Sequence, residues 1–371
     1  MELRVERDEL YRAVSRVQSI IEKRSNMPIL STVLLTAEDS GIVLSATDLE
    51  ISFQQKFPAE VMKPGSLAIS GRKLFEILKE SKSSTVYIKE KENNWAFISD
   101  EKAKFNLAGL SPDEYPVLVE PEDVPLVVIQ GDVLREMISK TIYAVTMEDA
   151  GFKLSGIYVE KISQGGKTSL RMVATDGHRL SMIDKDIARV EDLGLDGGVM
   201  IPKKGMNEIA KLATDDDVVQ IGFRRNNCVV KKGDSLIVVR LLESKFPDYN
   251  AVIPKKAVHH VHVKQEDLLD GMRKMTILSD ESYRGVKIKL DEGSMELVSI
   301  NPDIGDVQES LQVEYAEERL EMGFNARYFI DILQAMDSKE VVLGFSDVSS
   351  PCLVTGEGDP GFLGLIMPMR L

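Results

Sequence analysis

Two stretches carry side chains that could do chemistry. Asp176 and His178 lie two residues apart in Thr175-Asp176-Gly177-His178-Arg179-Leu180. A carboxylate orienting an imidazole is what a general base uses, but the base also needs a nucleophile or metal within hydrogen-bond reach. Gly177 breaks the strand geometry that would put the pair on one face. No nucleophile elbow, Walker A loop, H-E-x-x-H helix or dinucleotide-binding glycine fingerprint occurs in the chain. A hydrolase or metal enzyme built on Asp176 and His178 is therefore the rival reading, not the leading one. His259, His260 and His262 form the one histidine cluster. His260 and His262 would share a strand face, as two zinc ligands could, yet no third ligand stands at suitable spacing. Carboxylates are plentiful but scattered, with no set singled out for a two-metal site. No metal and no cofactor is expected.

The elements that would position these residues recur three times. Ala46-Thr47-Asp48-Leu49, Ala174-Thr175-Asp176-Gly177 and Ser299-Ile300-Asn301-Pro302 each follow a strand-like run. After each comes a second landmark: Ile69-Ser70-Gly71-Arg72-Lys73, then Ile201-Pro202-Lys203-Lys204, then Gly323-Phe324-Asn325-Ala326-Arg327. An amphipathic run opens at each. The period is roughly 120–130 residues, the length of a domain and far longer than a solenoid repeat. Each third reads as helix, strands, helix, strands, with leading helices expected over 8–23, 132–143 and 266–278. Hairpins are expected at 86–98, 218–230 and 341–355. Proline- and acid-rich linkers, Tyr115 to Pro125 and Phe246 to Pro254, separate the copies. The fold class is α+β, with domains at 1–121, 122–250 and 251–371. Three copies bring many sheet edges, and edges must pair or aggregate. Head-to-tail copies form an arc that a homodimer would close.

At 371 residues the chain suits two or three domains. It shows no apolar stretch of bilayer-spanning length and no signal peptide. Two cysteines without metal-like spacing suit a reducing cytoplasm. A formal net charge of −14 argues against nucleic acid. The distribution qualifies that: helix-forming runs carry Arg12, Arg16, Arg72, Lys73, Lys203, Lys204 and Arg273, while acids crowd the linkers. Solvated helix faces would look the same; helices facing one way would give an acidic protein a basic inner surface.

Thr175 to Leu180, together with Met367-Pro368-Met369-Arg370-Leu371, closely resembles the bacterial DNA polymerase III beta subunit family, the replicative sliding clamps. Pro28-Ile29-Leu30, Thr47-Asp48-Leu49-Glu50, Phe246-Pro247-Asp248-Tyr249 and Tyr283-Arg284-Gly285-Val286 agree as well, so the resemblance runs end to end. It implies three clamp-type domains per chain and a head-to-tail homodimeric ring of six around duplex DNA. Such a ring tethers the replicative polymerase, and binds the clamp loader and repair polymerases, through a linear peptide motif. It implies no catalysis and no membrane.

By the same resemblance the peptide pocket comprises Leu154, Thr175, Gly177, His178, Arg179 and Leu180. Pro247, Val252, Val348 and the tail residues Met367, Pro368, Met369 and Arg370 belong to it too, with Asn325, Tyr328 and Ser350 on its polar side. Arg24, Arg72, Lys73, Phe152, Lys153, Lys203 and Lys204 are implied DNA contacts; Phe105, Ile277 and Leu278 match the dimer seam. Gly151-Phe152-Lys153 and Ala251 depart from the family pattern, where an Arg-Tyr-Tyr and an Arg stand, which bears on peptide preference.

Overall fold

A computed structural model describes the chain except residues 22–25, 40, 118–122, 147–154, 215–216, 279–283 and 371. The expected site residues Arg24, Phe152, Lys153 and Leu154 fall outside the described residues. Six α-helices are described: α1 (Arg7–Arg16), α2 (Gly71–Glu80), α3 (Gly131–Ile142), α4 (Lys203–Leu212), α5 (Gln265–Met275) and α6 (Ala326–Ala335). Among the described residues no helix is long and apolar enough to cross a membrane.

The leading helices are shorter than their apolar stripes suggest. α1 was expected to run to residue 23 but ends at Arg16, passing into a 3-10 turn, Val17–Ser19, closed by the Ile20 amide on the Val17 carbonyl. α5 was expected to reach residue 278 and ends at Met275. There the Thr276 hydroxyl donates to the Arg273 carbonyl at 2.7 Å, competing with the helical ladder. Starts are better specified. Ser70 and Asn325 each accept a hydrogen bond from an amide in the first turn of α2 and α6, Lys73 N at 3.3 Å and Arg327 N at 3.0 Å.

The chain divides into two compact units. Unit 1 holds Met1–Gly131, Asp192–Gly194 and Asn207–Leu241. Its five-stranded sheet runs Glu60–Lys63, Glu2–Glu6, Thr85–Glu90, Ala96–Ser99, Lys104–Leu107. Its nine-stranded sheet takes five strands from the first third and four from the middle third, joined where Ile51–Phe57 pairs with Ser235–Arg240. α1 buries Leu10, Ala13 and Val14, α2 buries Leu74 and Leu78, and Tyr11 stacks on Phe75 at 5.3 Å. Each such buried aliphatic contributes about 1.5–3 kcal/mol. Gly71 marks a close approach: a Cβ there would lie 2.5 Å from Ile21 Cδ1.

Unit 2 holds Asp132–Glu191, Leu195–Met206 and Leu242–Leu371. Its eight-stranded sheet joins middle-third to last-third strands where Arg179–Lys185 pairs with Phe362–Ile366. A four-stranded sheet runs Gly305–Gln312, Ser294–Asn301, Gly285–Asp291, Leu320–Asn325. Every pairing is antiparallel. The compact units do not follow the thirds, since the middle third supplies strands to a sheet in each.

The repeat is visible at the level of single hydrogen bonds. Thr47 Oγ1 donates to the Ile51 carbonyl and accepts from Leu49 N, while Asp48 Oδ1 accepts from Glu50 N and Ile51 N. Thr175 Oγ1 does the same with the Arg179 carbonyl and Gly177 N, and Asp176 Oδ1 with His178 N and Arg179 N. In the last third Asn301 Oδ1 accepts from Asp303 N at 3.0 Å, so the acceptor survives in a different turn.

One buried charge cluster joins middle-third to last-third residues inside unit 2. Lys140, on α3, is almost fully buried and donates to Asp359 Oδ1 (2.6 Å), Glu136 Oε1 (2.8 Å) and Asp337 Oδ2 (2.9 Å). Burial works against a charged Asp359, but amide, hydroxyl and ammonium donors outweigh it and hold its carboxyl below the usual range; Glu136 behaves alike. A depressed folded pKa means stability that is present above the unfolded carboxylate pKa and lost as pH falls through the folded one. Removing the cation strands Asp359 as a buried anion. Lys140→Met is therefore expected to cost about 3–5 kcal/mol at pH 7. In denaturant titrations that penalty should shrink below about pH 4, where the acids protonate; an equal penalty at both pH values would refute the account.

Candidate functional site

The Thr175–Leu180 turn is over-determined by its own side chains. Gly177 sits at φ +86°, a conformation an L side chain rarely adopts, and nothing lies near its missing Cβ. His178 is thereby carried outward, exposed. Asp176 uses Oδ1 for two backbone amides and Oδ2 for Arg179 Nε at 3.0 Å. It holds the turn and the guanidinium; it does not orient the imidazole of His178, which stacks on Tyr328 at 6.5 Å. The acid–base reading of Asp176 and His178 has no geometric support. Among the described residues no group of three His, Cys, Asp or Glu could hold a metal. His259 pairs with Glu317 and His262 with Glu340 on an outer strand. Both cysteines are free and buried.

Arg179 organises the polar wall. Its guanidinium donates to Asp331 Oδ2 on α6 (2.6 Å), the Tyr143 carbonyl (2.7 Å) and Asp176, and lies 4.6 Å from the centre of the Tyr328 ring. Asn325 caps α6 one turn before Tyr328. Burial, then the nearby Asp176 carboxylate, raises the Tyr328 phenol above its ordinary range. The cation and two stacked rings thus form one rigid face joining the hairpin to α6.

The apolar side of the site is made by the tail. The Met367 amide donates to the His178 carbonyl at 2.9 Å and the Met369 amide to the Gly323 carbonyl at 2.9 Å, which seats Met367 to Arg370 beside the turn. Leu180, Val173, Met182, Tyr249 and Leu365 form a buried cluster against which Met367, Phe246, Ile253 and Tyr158 pack. Pro247 and Val252 flank Phe246 and Tyr249 and are exposed, Val252 at 43%. Arg171 fixes that wall: it forms a two-pronged pair with Asp184 and donates to the Tyr249 hydroxyl at 3.0 Å. Val348 and Ser350 stand in the turn organised by Asp347 and lie outside the cluster.

The expected DNA contacts and seam residues lie on other surfaces. Arg72 and Lys73 are exposed on α2, and both pair with Glu76. Lys204 is exposed at the start of α4. Lys203 is half-buried; burial and then the Arg179 charge lower its ammonium pKa, so it belongs partly to the Arg179 wall. The helices are less basic than the runs of Lys and Arg imply: together they carry fourteen Lys and Arg against eleven Asp and Glu. Phe105 is half-buried on Lys104–Leu107, an edge strand of unit 1. In unit 2, Ile277 is 75% exposed, and Leu278 Cδ1 lies 4.0 Å from where a Cβ on Gly305 would be, at the edge strand Gly305–Gln312.

Fold and turn define a repeat-built scaffold whose polar groups hold the turn, α6 and the tail together. The descriptions "DNA polymerase III beta subunit" N-terminal, central and C-terminal domain match residues 1–119, 128–248 and 250–370 in order. The beta sliding clamp of Pseudomonas aeruginosa is 31% identical over 374 residues, and that of Caulobacter vibrioides 29% over 380, each aligned over the full length of both chains. The Bacillus subtilis sliding clamp structure superposes with a TM-score of 0.93 at 28% identity, covering 100% of this chain and 99% of that one. A Bartonella birtlesii sliding clamp bound to griselimycin gives 0.95 at 29%, covering all of both. The chain belongs to the DNA polymerase III beta subunit family and is a sliding clamp, a non-catalytic processivity subunit of DNA replication.

Asp331, Tyr143 and Tyr158 escape a reading by motif because each acts from another element, and Arg171, on the same strand as Thr175, because its partner Tyr249 is distant. Only the i, i+4 spacing of Arg327 and Asp331 marks the second as a surface pair, and its stronger partner is Arg179. Asp331→Ala should cost roughly 2–3 kcal/mol, below the fully buried case because Asp331 keeps some water contact. Hydrogen exchange should then quicken at the His178 and Arg179 amides; unchanged protection there would contradict the assignment.

Proposed function

We propose that two copies of this chain close head to tail into a ring around duplex DNA in the cytoplasm. Each copy contributes domains at 1–121, 122–250 and 251–371. It holds the replicative polymerase, clamp loader and repair polymerases, one at a time, by a linear motif at the turn–tail site. The observation that carries this reading is the Met367–His178 hydrogen bond, because it brings together the two most distinctive stretches of the sequence as one surface. A motif with Leu or Phe anchors suits the cleft beside Leu180, Val252 and Met367, while His178, Tyr328, Asn325 and Arg370 offer polar contacts. Thr175, Gly177 and Arg179 shape it; Pro247, Val348, Ser350, Pro368 and Met369 complete its rim.

The seam reading is supported by edges and charge. Phe105 beside Lys102 and Lys104 would meet Ile277 and Leu278 beside Asp306 and Glu309. Ile300 and Ile304, 61% and 63% exposed, extend that second surface. Covering both removes two free strand edges per seam. Arg72, Lys73, Lys203 and Lys204, with Arg24, Phe152 and Lys153, are the proposed DNA contacts, sequence-independent and made to phosphates.

Topology gives the decisive test. Rings loaded on closed circular duplex should stay through gel filtration and leave once the circle is cut; equal retention on both forms would sink the ring. For the site, removing Met367 to Leu371 should abolish anisotropy change with a labelled Leu/Phe-motif peptide while the dimer mass persists. Undiminished affinity would move the pocket elsewhere.

A further inference from the structure

Resting on the ring reading above, we propose that carboxylates on the DNA-facing helices are grip-limiting residues, and that Glu76 is the principal one. Four helices show the same device, apart from the Glu136–Lys140 pair on α3 and the Arg327–Asp331 pair on α6, whose acids also serve the Lys140 and Arg179 clusters. Glu76 accepts from Arg72 Nε at 3.1 Å and from Lys73 Nζ at 2.7 Å on α2. Glu9 pairs with Arg12 on α1, Glu208 with Lys211 at 2.8 Å on α4, and Asp270 with Arg273 at 3.3 Å on α5. Each pair is three or four residues apart, so it lies along one helix face. The device recurs in every third of the chain, although the surrounding sequences differ.

The cations are solvent-exposed, Arg72 and Lys73 at 71% and 61%, and so are their acids, except that Glu208 on α4 is buried. Exposed pairs of this kind add little to stability. Their consequence is electrostatic. A phosphate that approaches Lys73 must compete with a carboxylate already in place, and that carboxylate repels it once the lysine turns away. Each contact is then an exchange of one anion for another, with little net counterion release. A ring lined this way centres DNA and lets it move, where an uncompensated lining would hold it. Glu76 stands out because a single carboxylate restrains two cations, burial being outweighed by both in setting its charge state.

The test compares the full-length ring with Glu76→Gln and Glu80→Gln. Both changes remove one negative charge from α2, but Glu80, exposed at the helix end, is in none of these pairs. Rings loaded on stretched duplex are tracked as single molecules, and binding of a short duplex is measured between about 50 and 200 mM salt. Glu76→Gln should slow sliding by about two- to fivefold at the low-salt end. It should also steepen the log–log salt dependence of binding by about one to two, one for each cation released. Glu80→Gln should do neither. Equal effects of the two variants would overturn the pairing and leave only net charge; no effect of Glu76→Gln would overturn the inference outright. Wild-type rings that fail to stay on closed circles would instead overturn the ring reading, so the two failures are distinguishable.

Discussion

An unpaired strand edge is the constraint around which this chain is built. Each third ends in strands whose amides and carbonyls need partners, and a third that kept its edges free would pair with whatever it met. The chain solves this twice by the same move. In unit 1, Ser235–Arg240 of the middle third docks on Ile51–Phe57 of the first. In unit 2, Phe362–Ile366 of the last third docks on Arg179–Lys185 of the middle. Both junctions end alike: Arg240 N donates to the Glu50 carbonyl at 2.8 Å, and Met367 N to the His178 carbonyl at 2.9 Å. The turn–tail surface is therefore a by-product of edge pairing, since the ladder delivers the tail to the turn.

Charge does two jobs here, separated by burial. Inside unit 2, Lys140 and Arg179 are almost enclosed, and each meets several acceptors at 2.6–2.9 Å. In a low-dielectric setting such groups specify geometry because leaving one unpaired is costly. On the helix faces Arg12, Arg72, Lys73 and Arg273 are exposed beside acids that keep water contact, and such pairs add little to stability.

Much of the architecture is legible in the sequence because its signals are local. Alternation marks the strands, the Thr-Asp turns mark the repeats, and Ser70 and Asn325 mark helix starts. Helix ends are poorly marked, as α1 and α5 show, because a side-chain hydroxyl or a tightened turn decides them after packing is set. The turn–tail site is legible only as two motifs nearly two hundred residues apart. What joins them, the ladder between Arg179–Lys185 and Phe362–Ile366 and the Met367–His178 hydrogen bond, is long-range pairing that no spacing rule encodes. The helix charge is only partly legible for a related reason: a run of cations is conspicuous, while the single Glu76 that pairs with both Arg72 and Lys73 is not.

The two best-matched turns show how one scaffold yields different surfaces. Leu49 at φ +76° and Gly177 at φ +86° occupy the same place in the same hydrogen-bonded frame. Leucine pays there in backbone strain, on the order of 1 kcal/mol or more, whereas glycine does not. The first-third frame is followed by Glu50 and Ile51, and the Glu50 carbonyl accepts from Arg240 N of its neighbour strand. In the middle third, His178 and Arg179 follow, and Asp176 gains a second task in holding the guanidinium. A strain-free turn with a fixed cation can present an aromatic and a carbonyl at constant geometry. Specialisation of the middle copy therefore required no new fold, only three side chains on a frame that edge pairing had already made rigid.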